Sequence, residues 1–129
     1  MKVGLDTGFL LKLYTRDRKV LEIWKRFTDR DIEVATNLLC GYEFLKVLSV
    51  RGIKFARLKD FWEGFREGVE VIGVTDDLIQ MGTRLEVRHR LGALDSLILA
   101  GFLEAGCREV FTTDKRWRER VTGLRVKII

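Results

Sequence analysis

Short apolar runs alternate along the chain with longer segments in which apolar residues recur at helical spacing. Val3–Leu5 is typical of a short buried strand, whereas Val20, Leu21 and Trp24 share one face of a helix over Asp17–Phe27. The predicted strands are Val3–Leu5, Ile32–Ala35, Val69–Val74, Glu109–Thr113 and Leu124–Ile129. The predicted helices are Phe9–Tyr14, Asp17–Phe27, Leu38–Val50, Phe55–Phe65, a helix that Thr75 caps and that carries Leu78, Ile79, Met81 and Leu85, Ala93–Ala105, and Lys115–Val121.

This alternation of strands and helices predicts an α/β fold with a central, mostly parallel sheet. Right-handed crossovers then cover both faces of the sheet with helices and give three layers. At 129 residues, the chain is most simply a single domain spanning 1–129. Ligand sites in such sheets form beyond the carboxyl ends of the strands, where Asp6 and Asp114 are expected to lie.

Four acidic residues are set in apolar stretches, unlike most acids of this chain. They are Asp6, Glu43, Asp95 and Asp114. Buried carboxylates are rare unless they are paired or bound to a metal, so four of them suggest one shared site. Acids this close together repel one another, and a divalent cation reverses that cost. A site of oxygen ligands alone points to Mg²⁺ or Mn²⁺.

Each acid also has a purely structural interpretation, and the sequence leaves both open. Asp6 and Asp114 each precede a predicted helix and suit the N-cap position. Asp95 suits the first turn of its helix, where the helix dipole favours an acid. Glu43 is a good helix former, so a solvent-exposed glutamate is the simplest alternative to a functional one.

Composition places the chain among globular proteins and favours a polyanionic partner. It is 47% hydrophobic and 33% charged, with a net charge of +5 and a pI near 9.5. A basic domain with internal acids suits a metal-dependent enzyme acting on a polyanion, although a solvated basic surface gives the same net charge.

No apolar run is long enough to span a membrane and no signal pattern opens the chain, so a cytoplasmic location is expected. The scarcity of Asn and Gln beside many charged residues resembles thermophile composition.

The scarcity of Cys and His excludes several other chemistries. The chain has two cysteines, Cys40 and Cys107, both in apolar contexts that favour buried free thiols over a disulfide. The single histidine, His89, is expected at an exposed basic helix end. A zinc site of Cys and His ligands, a Ser-His-Asp triad and a mechanism with two histidines are therefore disfavoured. No glycine-rich phosphate-binding motif is present.

Four segments taken in order resemble the PIN domain family, most closely the small VapC-type toxins. They are Val-Gly-Leu-Asp-Thr-Gly-Phe-Leu-Leu, the helix that carries Glu43, Ala-Leu-Asp-Ser-Leu-Ile-Leu-Ala and Phe-Thr-Thr-Asp. The resemblance covers essentially the whole chain. It implies a PIN fold, with an acidic pocket at the carboxyl edge of a parallel sheet and Mg²⁺- or Mn²⁺-dependent endoribonuclease activity.

By that resemblance Asp6, Glu43, Asp95 and Asp114 form the acidic quartet. Asp6, Asp95 and Asp114 would hold the metal, and Glu43 would bind it or orient water. Thr112, and less directly Thr7, would support the metal or a phosphate. The family also implies a cognate antitoxin laid across the Leu38–Phe65 helical pair, and a toxin homodimer.

Basic residues next to the acids are candidates for contacts with the RNA backbone, with a solvated surface as the alternative. They are Lys115, Arg116 and Arg118 after the fourth acid, and Arg84, Arg88 and Arg90 before the third. Two departures from the family pattern are the pair Ser96-Leu97 and the lack of a further acid after Asp114 until Glu119. The second departure puts a second metal site in doubt.

Three other functions compete with the toxin interpretation. A phosphatase with Asp6 as nucleophile needs a second Asp where the chain has Gly8. A catalytically inactive PIN-like scaffold or RNA-binding module would have lost an acid of the quartet, and none is lost. A housekeeping PIN nuclease that processes RNA shares the quartet, although the chain shows no accessory zinc ribbon.

Overall fold

Five parallel strands form the centre of the computed structural model, which describes residues 1–119 and 123–129. The strands are β1 (Lys2–Leu5), β2 (Glu33–Asn37), β3 (Glu70–Ile72), β4 (Glu109–Thr112) and β5 (Arg125–Ile128). They are arranged in the order β3-β2-β1-β4-β5, and every neighbouring pair is parallel. The predicted α/β class with a mostly parallel sheet is confirmed.

In the part of the chain that the structure describes, six α-helices connect the strands. They are α1 (Thr7–Tyr14), α2 (Arg18–Asp29), α3 (Leu38–Val50), α4 (Phe55–Glu67), α5 (Asp76–His89) and α6 (Ala93–Glu104). Side chains cap three of them, because Asp17, Asn37 and Thr75 accept hydrogen bonds from backbone N–H groups of the first turns of α2, α3 and α5. No helix in the described ranges is both long enough and apolar enough to cross a membrane.

The predicted elements all exist, with differences at their ends. The strand predicted at Val69–Val74 is only three residues long. The helix predicted at Lys115–Val121 is a 3-10 helix over Lys115–Glu119, and Val121 lies outside the described residues. Such tight helices are normally confined to short pieces of this kind.

The strand order creates a switch point between β1 and β4. From β1 the chain moves outward through β2 to β3, and then crosses back to β4 on the other side of β1. Right-handed crossovers therefore place α1 to α4 on one face of the sheet and α5 with α6 on the other. The carboxyl ends of β1 and β4 are neighbours, and connections leave them in opposite directions, so a crevice opens there.

Aromatic side chains fill the layer between the sheet and the first four helices. Phe9 of α1 stacks with Phe27 of α2, and both contact Phe111 of β4 edge-on. On α4, Trp62 and Phe65 are buried, whereas Phe55 is 57% exposed. The broad aromatic face of α4 is thus mainly core, with an exposed residue at its start.

Gly41 permits the close packing of α3 on α4, and this gives a test of the fold. A Cβ atom at Gly41 would overlap the indole ring of Trp62, whereas a Cβ atom at Gly64 of α4 meets nothing within 4 Å. We expect Gly41→Ala to lower the free energy of unfolding by about 1–3 kcal/mol through overpacking. Gly64→Ala, the matched control in an exposed helix interior, should raise it by about 0.5–1 kcal/mol. Urea denaturation measures both, and a stabilising Gly41→Ala would contradict the packing described.

Candidate active site

A cleft of about 520 Å³ opens at the carboxyl edge of the sheet, at the switch point between β1 and β4. Its lining includes Asp6, Glu43, Asp95 and Asp114, the four acids singled out from the sequence. They arrive from four different parts of the chain: the end of β1, the middle of α3, the first turn of α6 and the segment after β4. The fold thus brings together in one crevice side chains up to 108 positions apart in sequence.

Asp6 lies deepest and is the one buried acid of the four, with 7% of its surface exposed. The hydroxyl of Thr112 donates a hydrogen bond of 2.6 Å to its carboxylate, and the thiol of Cys40 approaches the other oxygen at 3.7 Å. Burial raises the pKa of Asp6 to about 6, against the opposing effect of the Thr112 hydrogen bond. The charges of Glu43 and Asp95 raise the pKa of Asp6 further.

Thr112 connects the ends of β1 and β4. Its hydroxyl accepts a hydrogen bond of 3.0 Å from the backbone N–H of Asp114 while donating to Asp6. Because the side chain is fully buried, Thr112 orients Asp6 and the start of the Asp114 segment. The buried Thr112 hydroxyl is engaged by Asp6 and Asp114, so the support that it is expected to give to a metal would pass through Asp6.

Glu43 is half-buried on α3, and its orientation is set by α1. The hydroxyl of Thr7 donates a hydrogen bond of 2.7 Å to Oε1 of Glu43. Thr7 thus supports an acid of the quartet, and it does so from the residue immediately after Asp6. The residue that holds Glu43 is therefore the immediate neighbour of Asp6 in the chain.

Asp95 and Asp114 share a single partner, the guanidinium of Arg116. Its Nη2 lies 2.6 Å from Oδ2 of Asp114 and 3.3 Å from Oδ2 of Asp95, and its Nε lies 2.9 Å from Oδ1 of Asp114. The side chains of Asp95 and Asp114 are only 27% and 22% exposed. Burial and the neighbouring charge of Asp114 raise the pKa of Asp95, and Arg116 opposes that rise.

The structural interpretations of the acids hold in part. Asp6 occupies the N-cap position of α1, yet its side chain makes no capping hydrogen bond and turns to Thr112 instead. Asp95 lies in the first turn of α6, and Asp114 accepts a hydrogen bond from the backbone N–H of Arg116. Asp95 and Asp114 therefore combine a favourable helix-end position with a place in the cleft.

The donor set of the cleft suits a hard divalent cation. Four carboxylates supply only oxygen atoms, which are the ligands that Mg²⁺ and Mn²⁺ prefer. Burial and then their mutual charge raise the pKa values of Asp6 and Asp95, and a guanidinium already lies against two of the four acids, so the cleft favours positive charge. Within residues 1–119 and 123–129, no three acidic, His or Cys side chains are arranged as a ready ligand set.

The basic residues predicted to meet RNA fall in two places. Lys115 and Arg118 are exposed on the 3-10 helix beside the cleft. Arg88 instead lines a separate depression on α5 with Arg84, and it is not part of the lining of the acidic cleft. His89 lies at the end of α5 as expected, but it is half-buried rather than exposed, a correction to the sequence-based prediction.

Sequence reasoning missed two residues that shape the site. Cys40 was interpreted only as a buried thiol, and it is free and buried as predicted, but it also contacts Asp6. The signal was present, because Cys40 lies one helical turn before Glu43 on the same face of α3. At Gly8 a Cβ atom would overlap the side chain of Thr113, so glycine lets the segment after β4 approach α1.

Comparison with known proteins places this geometry in a family. The PIN domain family model matches residues 3–122. No curated protein sequence matches the chain significantly. VapBC2 of Rickettsia felis, bound to a fragment of promoter DNA, contains a chain with a TM-score of 0.81 and 13% identity, over 100% of this chain and 99% of that one.

Two further solved structures share the fold. The toxin VapC20 of Mycobacterium tuberculosis, described as cleaving the sarcin–ricin loop, has a TM-score of 0.69 and 21% identity, over 92% of this chain and 96% of that one. PAE2754 of Pyrobaculum aerophilum has a TM-score of 0.69 and 15% identity, over 98% of this chain and 89% of that one. At these identities the likeness is one of fold.

The buried carboxylate of Asp6 predicts an unusual dependence of stability on pH. Because its pKa in the folded protein, about 6, exceeds the ordinary value of 3.8, ionised Asp6 destabilises the metal-free fold above pH 6. That destabilisation is lost as the pH falls from 6 towards 4. We expect Asp6→Asn to be more stable than the wild type by on the order of 3 kcal/mol at pH 7.5 in EDTA.

Urea denaturation of both proteins between pH 4 and pH 8 measures this difference. The stability gap should close as the pH approaches 4, because the wild-type side chain is then neutral too. A gap that stays constant with pH, or a less stable Asp6→Asn protein at pH 7.5, would contradict the cost assigned to the Asp6 charge.

Proposed function

This chain belongs to the PIN domain family, and from that membership we propose that it is a metal-dependent endoribonuclease that hydrolyses RNA phosphodiester bonds as the toxin of a toxin–antitoxin pair. The observation that carries the proposal is the convergence of Asp6, Glu43, Asp95 and Asp114 on one cleft at the switch point of the sheet. The alternatives are a housekeeping PIN nuclease and an inactive PIN-like module. Retention of all four acids disfavours the inactive module.

The proposed metal site uses Asp6, Asp95 and Asp114 to hold Mg²⁺ or Mn²⁺, directly or through water. When bound, such an ion lowers the pKa of a coordinated water and stabilises the negative charge that builds up on the phosphoryl oxygens. Thr112 holds the Asp6 carboxylate in one orientation for this purpose. Preorganisation of this kind reduces the cost of assembling the charged site at the moment of reaction.

Glu43 has a different role in the proposal. One of its oxygens accepts the Thr7 hydrogen bond, and the side chain lines the cleft. From there Glu43 orients the attacking water and accepts its proton, or completes the set of metal ligands. In that role the free carboxylate oxygen would have to lie within hydrogen-bonding reach of the attacking water.

The charge of the chain supports RNA as the substrate. A net charge of +5 attracts a polyanion, and Lys115 and Arg118 extend basic side chains next to the cleft. The fold is shared with VapC20, a toxin that cleaves the sarcin–ricin loop, which is consistent with RNA chemistry on this scaffold. Arg88 does not line the cleft, so in this proposal it would contact RNA outside the cleft.

An antitoxin is the proposed protein partner, and a homodimer the proposed assembly. Structural neighbours include VapBC of Salmonella typhimurium bound to DNA and a toxin–antitoxin complex of Klebsiella pneumoniae. On this chain α3 and the start of α4 expose large apolar side chains, namely Leu38, Tyr42, Val50 and Phe55. A small DNA-binding protein encoded in the adjacent reading frame would favour the toxin over the housekeeping nuclease.

Asp95→Asn tests the proposed chemistry. The substitution keeps the shape of the side chain but removes its charge, so we expect Mg²⁺- or Mn²⁺-dependent cleavage to fall to the level seen in EDTA. Cleavage of a fluorescent RNA by the purified protein measures the effect. Asp60→Asn, the same change at an exposed position of α4, should leave cleavage unchanged. Undiminished activity of Asp95→Asn in a correctly folded protein would overturn the assignment.

Electrostatic binding of RNA makes a second prediction. The affinity of the Asp95→Asn protein for single-stranded RNA should fall steeply with added salt, because bound Lys and Arg release counterions from the phosphates. Replacing Lys115 or Arg118 with Gln should each reduce the slope of log K against log salt by about 0.7, the value for one phosphate contact. Fluorescence anisotropy at several salt concentrations measures the slope. A slope near zero in the parent protein would contradict backbone binding.

A further inference from the structure

Arg116 lies inside the acidic cleft rather than on its rim. Among the described residues that line the cleft, it supplies the positive charge. Its guanidinium Nη2 lies 3.3 Å from Oδ2 of Asp95 and 2.6 Å from Oδ2 of Asp114. Its backbone N–H also donates a hydrogen bond of 3.0 Å to Oδ1 of Asp114. Both the backbone N–H and the guanidinium of Arg116 therefore bind Asp114, a proposed metal ligand, and the guanidinium also contacts Asp95, a second one.

This arrangement conflicts with metal binding at the same oxygens. Both Oδ atoms of Asp114 and one Oδ atom of Asp95 face N–H groups of Arg116. A carboxylate oxygen that accepts a charge-assisted hydrogen bond in this geometry has less electron density and less space for a cation. Asp6 makes no contact with Arg116 and accepts from Thr112 and Cys40 instead. One acid of the proposed site is thus independent of the arginine, whereas two are engaged by it.

We propose that Arg116 is an internal counter-ion that occupies Asp95 and Asp114 in the metal-free protein and must release both carboxylates before a divalent cation is fully bound. The inference rests on the proposed function, because it concerns the same metal site. It gives Arg116 a role in setting the metal affinity, which differs from the RNA contact that its position in the sequence suggested.

The exposure of Arg116 makes this exchange feasible. Its side chain is 69% exposed, so it leaves the carboxylates for water without uncovering a buried surface. A divalent ion carries twice the charge of the guanidinium and displaces it once the ion is concentrated enough. If the arginine-bound state makes up about 80% of the metal-free molecules, the apparent metal affinity is weakened about fivefold. The protein would then need about fivefold more metal to reach the same occupancy.

Direct titration with Mn²⁺ tests the proposal. Electron paramagnetic resonance of free Mn²⁺ gives the dissociation constant for the wild type and for the Arg116→Gln, Arg118→Gln and Arg116→Lys proteins, without any RNA present. We expect Arg116→Gln to bind Mn²⁺ about fivefold more tightly or better. Arg118→Gln, the same loss of charge on the same 3-10 helix, should change the constant by less than about twofold, since exposed charges are screened.

Arg116→Lys distinguishes the effect of the planar guanidinium, which donates to two carboxylates, from the effect of the positive charge alone. Lysine keeps the positive charge but lacks the planar pair of donors that engages two carboxylates at once, so its Mn²⁺ affinity should lie close to that of Arg116→Gln. Thermal denaturation provides a second readout. Without metal, Arg116→Gln should melt below the wild type because the acids lose their counter-ion, and saturating Mn²⁺ should remove that difference.

The outcomes separate this inference from the proposed function. Equal Mn²⁺ affinity of the wild type and Arg116→Gln, with metal-dependent RNA cleavage intact, would overturn the counter-ion role alone. Equal tightening in Arg116→Gln and Arg118→Gln, with Arg116→Lys like the wild type, would show a general charge effect and also overturn it. Absence of Mn²⁺ binding and of RNA cleavage in all four proteins would overturn both proposals.

Discussion

The hydrogen bond from Thr112 to the buried carboxylate of Asp6 is the constraint on which the site depends. It joins the ends of β1 and β4, which pair in parallel with Leu5 opposite Phe111. Burial without a partner would make the Asp6 charge far more costly, and the hydroxyl reduces that cost while fixing the orientation of the carboxylate. The same hydroxyl accepts from the backbone of Asp114, so a single buried side chain positions both Asp6 and the segment that carries Asp114.

The four carboxylates of the cleft also repel one another. The strand order directs four carboxylates into one crevice, where burial raises the pKa values of Asp6 and Asp95 and the neighbouring carboxylates raise them further. Arg116 reduces the repulsion at the solvent side, where Asp95 and Asp114 lie, but it makes no contact with Asp6. The site therefore combines a buried acid held by neutral donors with two partly exposed acids held by an arginine. A divalent cation bound between them would neutralise more of this charge than the guanidinium does.

Much of this site could be predicted from the sequence, because strand ends and helix periodicity are local properties. The apolar runs before Asp6 and Asp114 placed both at the carboxyl edge of a parallel sheet, and the helical spacing around Glu43 placed it near an apolar face. The degree of burial of each acid could not be predicted, because it depends on how far each helix covers the crevice. Among the described acids of the quartet, only Asp6 is buried. The ion pairs of Arg116 depend on one side-chain conformation, and the position of Arg88 in a separate depression depends on the path of α5. Neither property has a local signature.

The most direct test of the account is the position of a bound manganese ion. Crystals of the protein grown or soaked with Mn²⁺ would give an anomalous difference map that locates the metal independently of any activity. We expect a peak in the cleft within coordination distance of carboxylate oxygens of Asp6, Asp95 or Asp114, with the guanidinium of Arg116 moved away from Asp95. A cleft without a peak at saturating Mn²⁺, in a protein that still cleaves RNA when the metal is present, would contradict the central claim.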